Sequence, residues 1–176
     1  GLRLDLAIDE PIHFTAAGAL LDTRGRSRLW GGVEMRQGDR HLRTERLVFS
    51  AQDNYAEAEG EILFEQNGFE LRGERARLRL NQRIADFFAA EYRYTPMHAH
   101  GAAAELHYEG SGHIRLRQAS YTTCDPASDP ASDPESKGEA VAWRLSARRV
   151  HLNQQTGVGT AQGVLVEFQR LPLFYT

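Results

Sequence analysis

The sequence lacks any long hydrophobic run. Its 176 residues include no apolar stretch near the roughly 20 residues that a membrane-spanning helix needs. An excess of basic charge is also missing, because 21 Lys and Arg residues stand against 24 Asp and Glu residues, for a formal net charge of -3. Proteins whose main partner is nucleic acid usually show a basic face, so we expect no nucleic-acid partner.

No secretory signal peptide is visible. Residues 1–5 (GLRLD) already alternate between apolar and other side chains, which is typical of a β-strand. A chain that begins after such a peptide would look the same. The length, with 41% hydrophobic and 26% charged residues, is ordinary for one globular domain with a sizeable core.

Cysteine occurs only once, at Cys124. A single cysteine cannot form a disulfide within the chain. Two interpretations stay open from the residues alone. One is a reduced thiol, and the other is a half-cystine whose partner lies on another part of a longer chain or on another protein.

The motifs of common catalytic and nucleotide-binding sites are missing too. The sequence has no Gly-x-Ser-x-Gly, no phosphate-binding P-loop and no dinucleotide-binding fingerprint. The carboxylates mostly alternate with arginine, as in Glu45-Arg46 and Glu74-Arg75, which is typical of a solvated strand face. We therefore expect neither catalysis nor a cofactor, and an enzyme acting on glycan or lipid is the least favoured alternative.

Two histidines resemble part of a metal site. His98 and His100 are two residues apart, so they share one face of a strand and could supply half of a ligand set. The phase of the repeat described next places Ala99 and Gly101 inward, which turns both histidines outward. No cysteine or second histidine pair completes the set, so we expect surface histidines and no metal.

The sequence does contain an internal repeat, read as apolar, any, small, any, any, apolar, any, apolar. Successive copies start 28, 29, 28 and 46 residues apart. The copies are Phe14-Ala16-Ala19-Leu21, Leu42-Thr44-Leu47-Phe49, Leu71-Gly73-Ala76-Leu78, Ala99-Gly101-Ala104-Leu106 and Leu145-Ala147-Val150-Leu152.

The spacing within each copy predicts a bent strand. Alternation with period 2 marks a strand with one buried face, but in the middle of each copy the spacing slips from two to three. Such a slip would send all later side chains to the opposite face unless the strand bulges or turns a corner there. The predicted corners are the small residues just before each slip, namely Ala16, Thr44, Gly73, Gly101 and Ala147.

Many short strands with a repeated corner indicate a jelly roll, a sandwich or a stacked β-solenoid. A repeated corner favours a sheet that folds over so that its two halves face each other. If the halves splay apart, an apolar groove runs along the stack. The first and last strands remain as open edges that can add a strand from another chain.

Residues 125–136 repeat a four-residue unit, which reads DPAS twice and then DPES. An acidic calcium loop is one interpretation. However, proline after each aspartate stiffens the backbone, and no central glycine permits the tight turn of a calcium loop. We therefore predict a flexible surface insertion over residues 125–140.

Three segments of the second half resemble a known family. They read YTTCD at 121–125, WRLSA at 143–147 with GVGTA at 157–161, and LPLFYT at 171–176. In that order they resemble the periplasmic N-terminal domain of the LPS-assembly protein LptD family. The upstream repeats, with Gly32-Val33 and Gln37-Gly38-Asp39, resemble the OstA-type β-jellyroll that LptD shares with LptA and LptC.

The resemblance implies both a fold and a function. The implied fold is all-β, a V-shaped, open β-jellyroll of stacked strand–bend–strand repeats over residues 1–176. The implied function is lipopolysaccharide transport, in which an apolar groove accepts the lipid from an LptA-type bridge protein and passes it to an outer-membrane barrel. The implied location is the periplasmic side of the outer membrane. The implied partners are lipopolysaccharide, the LptA-type bridge by edge-strand pairing, and an LptE-type lipoprotein through the barrel.

The resemblance also gives Cys124 a role, since it matches a family cysteine that forms a disulfide to the barrel. The oxidising periplasm permits this bond, so the resemblance favours the half-cystine. The barrel is absent from this chain. A second family cysteine, upstream of the jellyroll, has no counterpart here, and we expect the chain to begin after it.

Inward apolar positions of the central repeats are the candidate lipid-binding residues. They are Phe64, Leu78, Leu80, Leu106, Tyr108, Leu116 and Leu145. Plain core packing is the alternative for each of them. The alternative function for the whole module is an edge-docking structural adaptor in the periplasm that holds no lipid.

Overall fold

A computed structural model gives the fold of the chain. The structure describes residues 11–22, 24–50, 52–124, 143–168 and 171–175, with the backbone alone at residues 80 and 171–175. The predicted insertion at 125–140 and the predicted strand pattern of residues 1–5 lie outside the described residues.

The described residues form one sheet of twelve β-strands. Two short 3-10 turns, at Leu80–Gln82 and Thr95–Met97, join some of them. The strands are β1 His13–Thr15, β2 Gly18–Leu20, β3 Arg26–Gln37, β4 Arg40–Ser50, β5 Tyr55–Gln66, β6 Phe69–Arg79, β7 Ile84–Tyr94, β8 Ala99–Glu109, β9 His113–Tyr121, β10 Trp143–Asn153, β11 Val158–Phe168 and β12 Leu171–Tyr175.

The sheet is an antiparallel meander in which each strand from β3 to β12 pairs with the next one along the chain. Strands β1 and β2 both pair with β3, where Phe14 faces Met35 and Ala19 faces Leu29. They therefore act as one edge strand broken at its middle. Strand β12 forms the other edge, and the two edges do not pair within the described ranges. The predicted all-β fold with open edges is confirmed.

The repeat corresponds to a hairpin. Its copies fall on every second strand, the first on β1 and β2 and the others on β4, β6, β8 and β10, so its usual period spans two strands. In β6 the pattern is clear, because Leu71 and Ala76 are buried while Arg72 and Arg77 are exposed. The strands between the copies bend as well, so every long strand of the sheet is a bent strand and the unit is a bent hairpin.

The corners are built mainly by the strands between the copies. Arg43 pairs with Leu63 and Arg46 with Glu59, so two residues of β4 face three residues of β5. Gly60 occupies this bulge with φ 90, a conformation that side-chain-bearing residues rarely adopt. In β7 and β9 the residues at the corner are Ala89 and Gln118, with φ of 52 and 51, and the pairing shows no register shift there.

The predicted phase of β8 needs one correction. Ala103, and not Ala104, is the buried alanine that follows the predicted corner at Gly101. Ala103 pairs with Ala119 of β9, and the next pair is Glu105 with Arg117. The positive-φ residue Gln118 lies on β9 between these two pairs. The change in spacing of the buried residues of β8 therefore lies between Ala103 and Leu106, because the strand turns where its neighbour β9 turns.

The core lies between the two halves of the folded sheet. Its most buried large side chains are Ile62, Leu71 and Val33, and burial of each such side chain stabilises the fold by about 1.5–3 kcal/mol. Phe64 lies after the corner of β5, and Phe87 lies before the corner of β7. Their ring centroids are 6.3 Å apart, so side chains from opposite sides of the corner pack together. The sheet therefore encloses its own core.

The outer face of the sheet is covered by charged side chains. Arg77 pairs with Glu57 at 3.1 Å, and Arg46 pairs with Glu59 at 3.6 Å. Such exposed pairs contribute about 0–1 kcal/mol each and chiefly keep this face in water. In the part of the chain that the structure describes, no helix has the length and apolar character needed to cross a membrane.

Candidate functional site

A narrow apolar cavity lies between the two halves of the sheet. Its volume is about 100 Å³, and its walls come from strands β3 to β8. Both sides of the corner contribute, because Leu42 and Phe64 come from one half while Leu47 and Phe87 come from the other. The fold thus places an apolar space where the sequence predicts a groove.

The cavity carries its polar groups near strands β3 and β4. There it is lined by Gln37, Arg40 and Gln66 beside the apolar side chains of Ile12 and Met35. Arg40 donates a hydrogen bond from Nη1 to Oε1 of Gln37 at 3.1 Å. Ile12 is 41% exposed, so this end of the cavity reaches the surface next to the first edge of the sheet.

The size of the cavity limits what it can hold. A water molecule needs roughly 10–15 Å³ by the same measure, so several would fit. Sites for drug-sized ligands are about 300–1,000 Å³, which is several times larger. A ligand of that size therefore fits between the two halves of the sheet only if they move apart.

Four of the seven predicted lipid-binding residues line this one cavity. They are Phe64, Leu78, Leu106 and Tyr108. Leu116 is buried in the core beyond the cavity, and Leu145 is half-buried on β10. The backbone of Leu80 lies in a 3-10 turn, and its side chain is outside the described residues. Contact with lipid stays a prediction for all seven.

Several lining residues were missed by the sequence analysis. Met35 and Phe87 line the cavity from strands β3 and β7, which carry no copy of the repeat. The pattern that could have identified them is the alternation of apolar and polar residues within those strands. In β7, for example, Ala85, Phe87 and Ala90 are buried with the same slip from two to three.

Cys124 lies where the chain leaves strand β9. Its backbone N–H donates to Oγ1 of Thr122 at 3.1 Å, and its Sγ accepts a hydrogen bond from the backbone N–H of Trp143 at 3.3 Å. The side chain is half-buried at the start of β10. These contacts hold the cysteine between the end of β9 and the start of β10, and the disulfide stays a prediction.

The two candidate metal ligands lie apart from any ligand cluster. His98 is exposed at the end of a 3-10 turn with φ 51, and His100 is half-exposed on β8. Among the described residues, no group of three or more His, Cys, Asp and Glu side chains is placed to hold a metal ion.

Comparison with known proteins gives relatives that share one name. The chain is 31% identical over 148 residues to "LPS-assembly protein LptD" of Pseudomonas putida (strain GB-1), covering 84% of this chain and 15% of that protein. It is 30% identical over 159 residues to the protein of the same name from Acinetobacter baylyi, covering 90% of this chain and 18% of that protein. The chain thus spans less than a fifth of the length of these relatives.

Two other comparisons add little. No family model matches the sequence. Among solved structures, the chain is similar to LptH from Pseudomonas aeruginosa, described as the LptA homologous periplasmic component of a lipopolysaccharide transport device. The TM-score is 0.37 with 14% identity, over 87% of this chain and 82% of that one, which is too weak to support an inference.

Proposed function

We propose that this chain, which is homologous over most of its length to part of the LPS-assembly protein LptD, is a module of lipopolysaccharide transport that holds acyl chains between the halves of its sheet. The observation that supports the proposal is the apolar cavity lined by Phe64, Leu78, Leu106 and Tyr108. The relatives are named for lipopolysaccharide assembly. The module accepts the lipid from a periplasmic bridge and passes it on toward the outer membrane.

The narrowness of the cavity suits a relay. Burial of one CH₂ group is worth roughly 0.8 kcal/mol, so a dozen buried groups would contribute about 10 kcal/mol. Several fully buried chains would bind too tightly to leave. A space that opens only partly buries part of each chain and lets the lipid move. We expect the driving force for this motion to come from another protein, because the sequence has no nucleotide-binding motif.

The first edge of the sheet is the proposed docking site for the bridge protein. Strands β1 and β2 present the exposed apolar side chains of Phe14 and Leu20, and Leu21 follows directly. An open edge with apolar side chains can add a strand from an LptA-type partner by main-chain hydrogen bonds. The bridge would then meet the module at the end where the cavity reaches Ile12.

The remaining parts of the proposal concern the longer protein. Cys124 forms a disulfide to an outer-membrane barrel on the same chain, and an LptE-type lipoprotein acts through that barrel. The module then lies on the periplasmic side of the outer membrane. The position of Cys124 beside Trp143, away from the first edge, supports a covalent link that leaves the bridge-docking edge accessible.

A photo-reactive phenylalanine analogue tests the lipid site. Phe64 lines the cavity, whereas Phe88 lies on the outer face beneath Arg75, whose guanidinium is 4.4 Å from the ring centroid. The two positions share a residue type and differ in the face that they occupy. In the full-length protein in cells, we expect the analogue at position 64 to capture lipopolysaccharide and the analogue at position 88 not to. Equal capture at both positions, or none at 64, contradicts the lipid site.

The alternative function is an edge-docking adaptor without lipid. The tight core favours it, because Ile62 and Leu71 are almost fully buried and the cavity is small. The same experiment separates the two functions. An adaptor would show no lipid capture at position 64.

A further inference from the structure

The outer face of strands β8 to β11 has a cleft on the side of the sheet opposite to the core. Its volume is about 520 Å³. The charged and polar residues that line it are Arg115 and Arg117 on β9, Arg149 and His151 on β10, Glu105 and His107 on β8, and Thr160 and Gln162 on β11. Three arginines therefore face one glutamate in the lining of the cleft, in a chain whose net charge is negative.

The register of the sheet places these cations directly beside one another. Arg117 stands opposite Arg149, and Arg115 stands opposite His151. Directly opposite side chains have Cβ atoms about 4.5–5.5 Å apart, and like charges in such pairs destabilise a sheet. Elsewhere on this face an arginine has a carboxylate as its cross-strand neighbour, as in Arg46 opposite Glu59 and Arg77 opposite Glu57.

The acidic groups near the cleft neutralise only one side of it. Glu105 accepts hydrogen bonds from Nε and Nη2 of Arg117 at 3.1 and 2.9 Å, and Glu109 pairs with Arg115. Both glutamates lie on β8. On the other side, Thr160 and Gln162 of β11 face His151 and Arg149 and carry no charge. Among the described residues, no carboxylate is within ion-pair distance of Arg149.

We propose that this cleft binds a phosphate monoester. Guanidinium groups match phosphate oxygens with paired N–H donors. Arg149 can bind one phosphate in this way, and Arg117, whose Nε and Nη2 donate to Glu105, can add its Nη1 from the neighbouring strand. Such an anion would offset the repulsion between Arg117 and Arg149, and Gln162 would supply a neutral amide donor at the edge. The site lies on the outer face, so it is separate from the apolar cavity and does not depend on the lipid proposal.

Two sources offer the same chemistry, namely free phosphate and the phosphorylated sugar of a glycolipid headgroup. Calorimetric titration of the folded protein with inorganic phosphate, with glucose 1-phosphate and with uncharged glucose distinguishes them. Similar affinity for the first two indicates recognition of phosphate alone. Affinity at least tenfold higher for the sugar phosphate indicates a headgroup site. Glucose alone should give no heat.

The decisive variant is Arg149→Gln, with Arg28→Gln as its control. Both arginines are exposed on the outer face, but Arg28 stands opposite Val48 and lies outside the cleft. We expect Arg149→Gln to weaken phosphate binding at least tenfold and Arg28→Gln to change it less than twofold. Neither variant should lower the unfolding temperature, and Arg149→Gln should raise it slightly because it removes the repulsion from Arg117. Equal weakening in the two variants, or no heat with either phosphate at millimolar concentration, overturns the proposal.

Discussion

The hydroxyl of Tyr92 donates a hydrogen bond to the backbone carbonyl of Ser120 at 2.7 Å, reaching over the whole width of strand β8. The residue opposite Tyr92 on β8 is Gly101, which leaves the space for this contact. Burial raises the pKa of Tyr92 to about 12, so the hydroxyl stays protonated and remains a donor at any physiological pH. One hydrogen bond thus ties β7 to β9 at the corner of the sheet.

Tyr92→Phe tests the worth of this hydrogen bond. A hydrogen bond to a buried acceptor contributes about 0.5–1.5 kcal/mol, so the variant should lose that much free energy of unfolding in urea. Tyr94→Phe is the control, because Tyr94 is half-buried two residues along the same strand. We expect the control to lose clearly less. Equal losses would mean that the hydroxyl of Tyr92 contributes nothing specific.

Gly101→Ala tests the close approach itself. A Cβ atom at Gly101 would lie 2.0 Å from the carbonyl oxygen of Ser120, which is backbone and has little freedom to move. At Gly73, the matching corner of β6, the nearest atom would be the oxygen of Phe88 at 3.1 Å. We expect Gly101→Ala to cost about 3 kcal/mol and Gly73→Ala about 1 kcal/mol in thermal or urea unfolding. The reverse order would refute this account of the corner.

The corner residues also show how far the sequence predicts the fold. In β6 the predicted inward positions were correct, because the large apolar residues Leu71 and Leu78 alternate with arginines. In β8 it was wrong by one residue, because 101–104 (GAAA) has only small residues and offers no contrast between inward and outward positions. Ala89 and Gln118 adopt positive φ without being glycine, so nothing in their identity indicates a corner of the sheet.

The same limit applies to the cavity. Phe64 and Tyr108 could be predicted, since their inward phase follows from alternation within one strand. Which inward residues face a space and which pack tightly depends on how the two halves approach each other, and that distance is a property of the folded sheet. Leu116 illustrates this point, because its phase is correct and yet it packs beyond the cavity.

The acid stability of the protein should depend on Glu57. Its carboxylate accepts hydrogen bonds from Nε of Arg77 at 3.1 Å and from the hydroxyl of Tyr55 at 3.0 Å. Burial alone raises the pKa of Glu57, but these two donors and the charge of Arg77 outweigh it and hold the pKa below the usual 4.5. A lowered pKa in the folded state means that the stabilisation is complete above the unfolded value and is lost as the pH falls through the folded one.

Glu57→Gln should therefore reduce the loss of unfolding free energy that accompanies a fall in pH. Between pH 6 and pH 3, we expect the free energy of unfolding of the variant to fall less steeply than that of the unchanged protein. Glu61→Gln is the control, as it removes the same charge from an exposed position on the same strand. Urea unfolding at a series of pH values measures both. Parallel acid limbs for Glu57→Gln and the unchanged protein would contradict the prediction.

Filling the cavity should separate its role in stability from its role in lipid transport. Ala85 lines the cavity, whereas Ala76 on the adjacent strand is fully buried and does not line it. Ala85→Val places two methyl groups in existing space, so we expect about 1 kcal/mol of added stability. Ala76→Val must push its neighbours apart, at a cost of about 2 kcal/mol.

Lipid capture by these two variants should not follow their stability. With the photo-reactive analogue at position 64, Ala85→Val should capture less lipopolysaccharide per folded molecule because less space remains, even though the fold is more stable. Ala76→Val leaves the cavity lining intact and should keep its capture once the folded fraction is accounted for. If Ala85→Val is more stable and captures as much lipid as before, the acyl chains do not occupy this cavity.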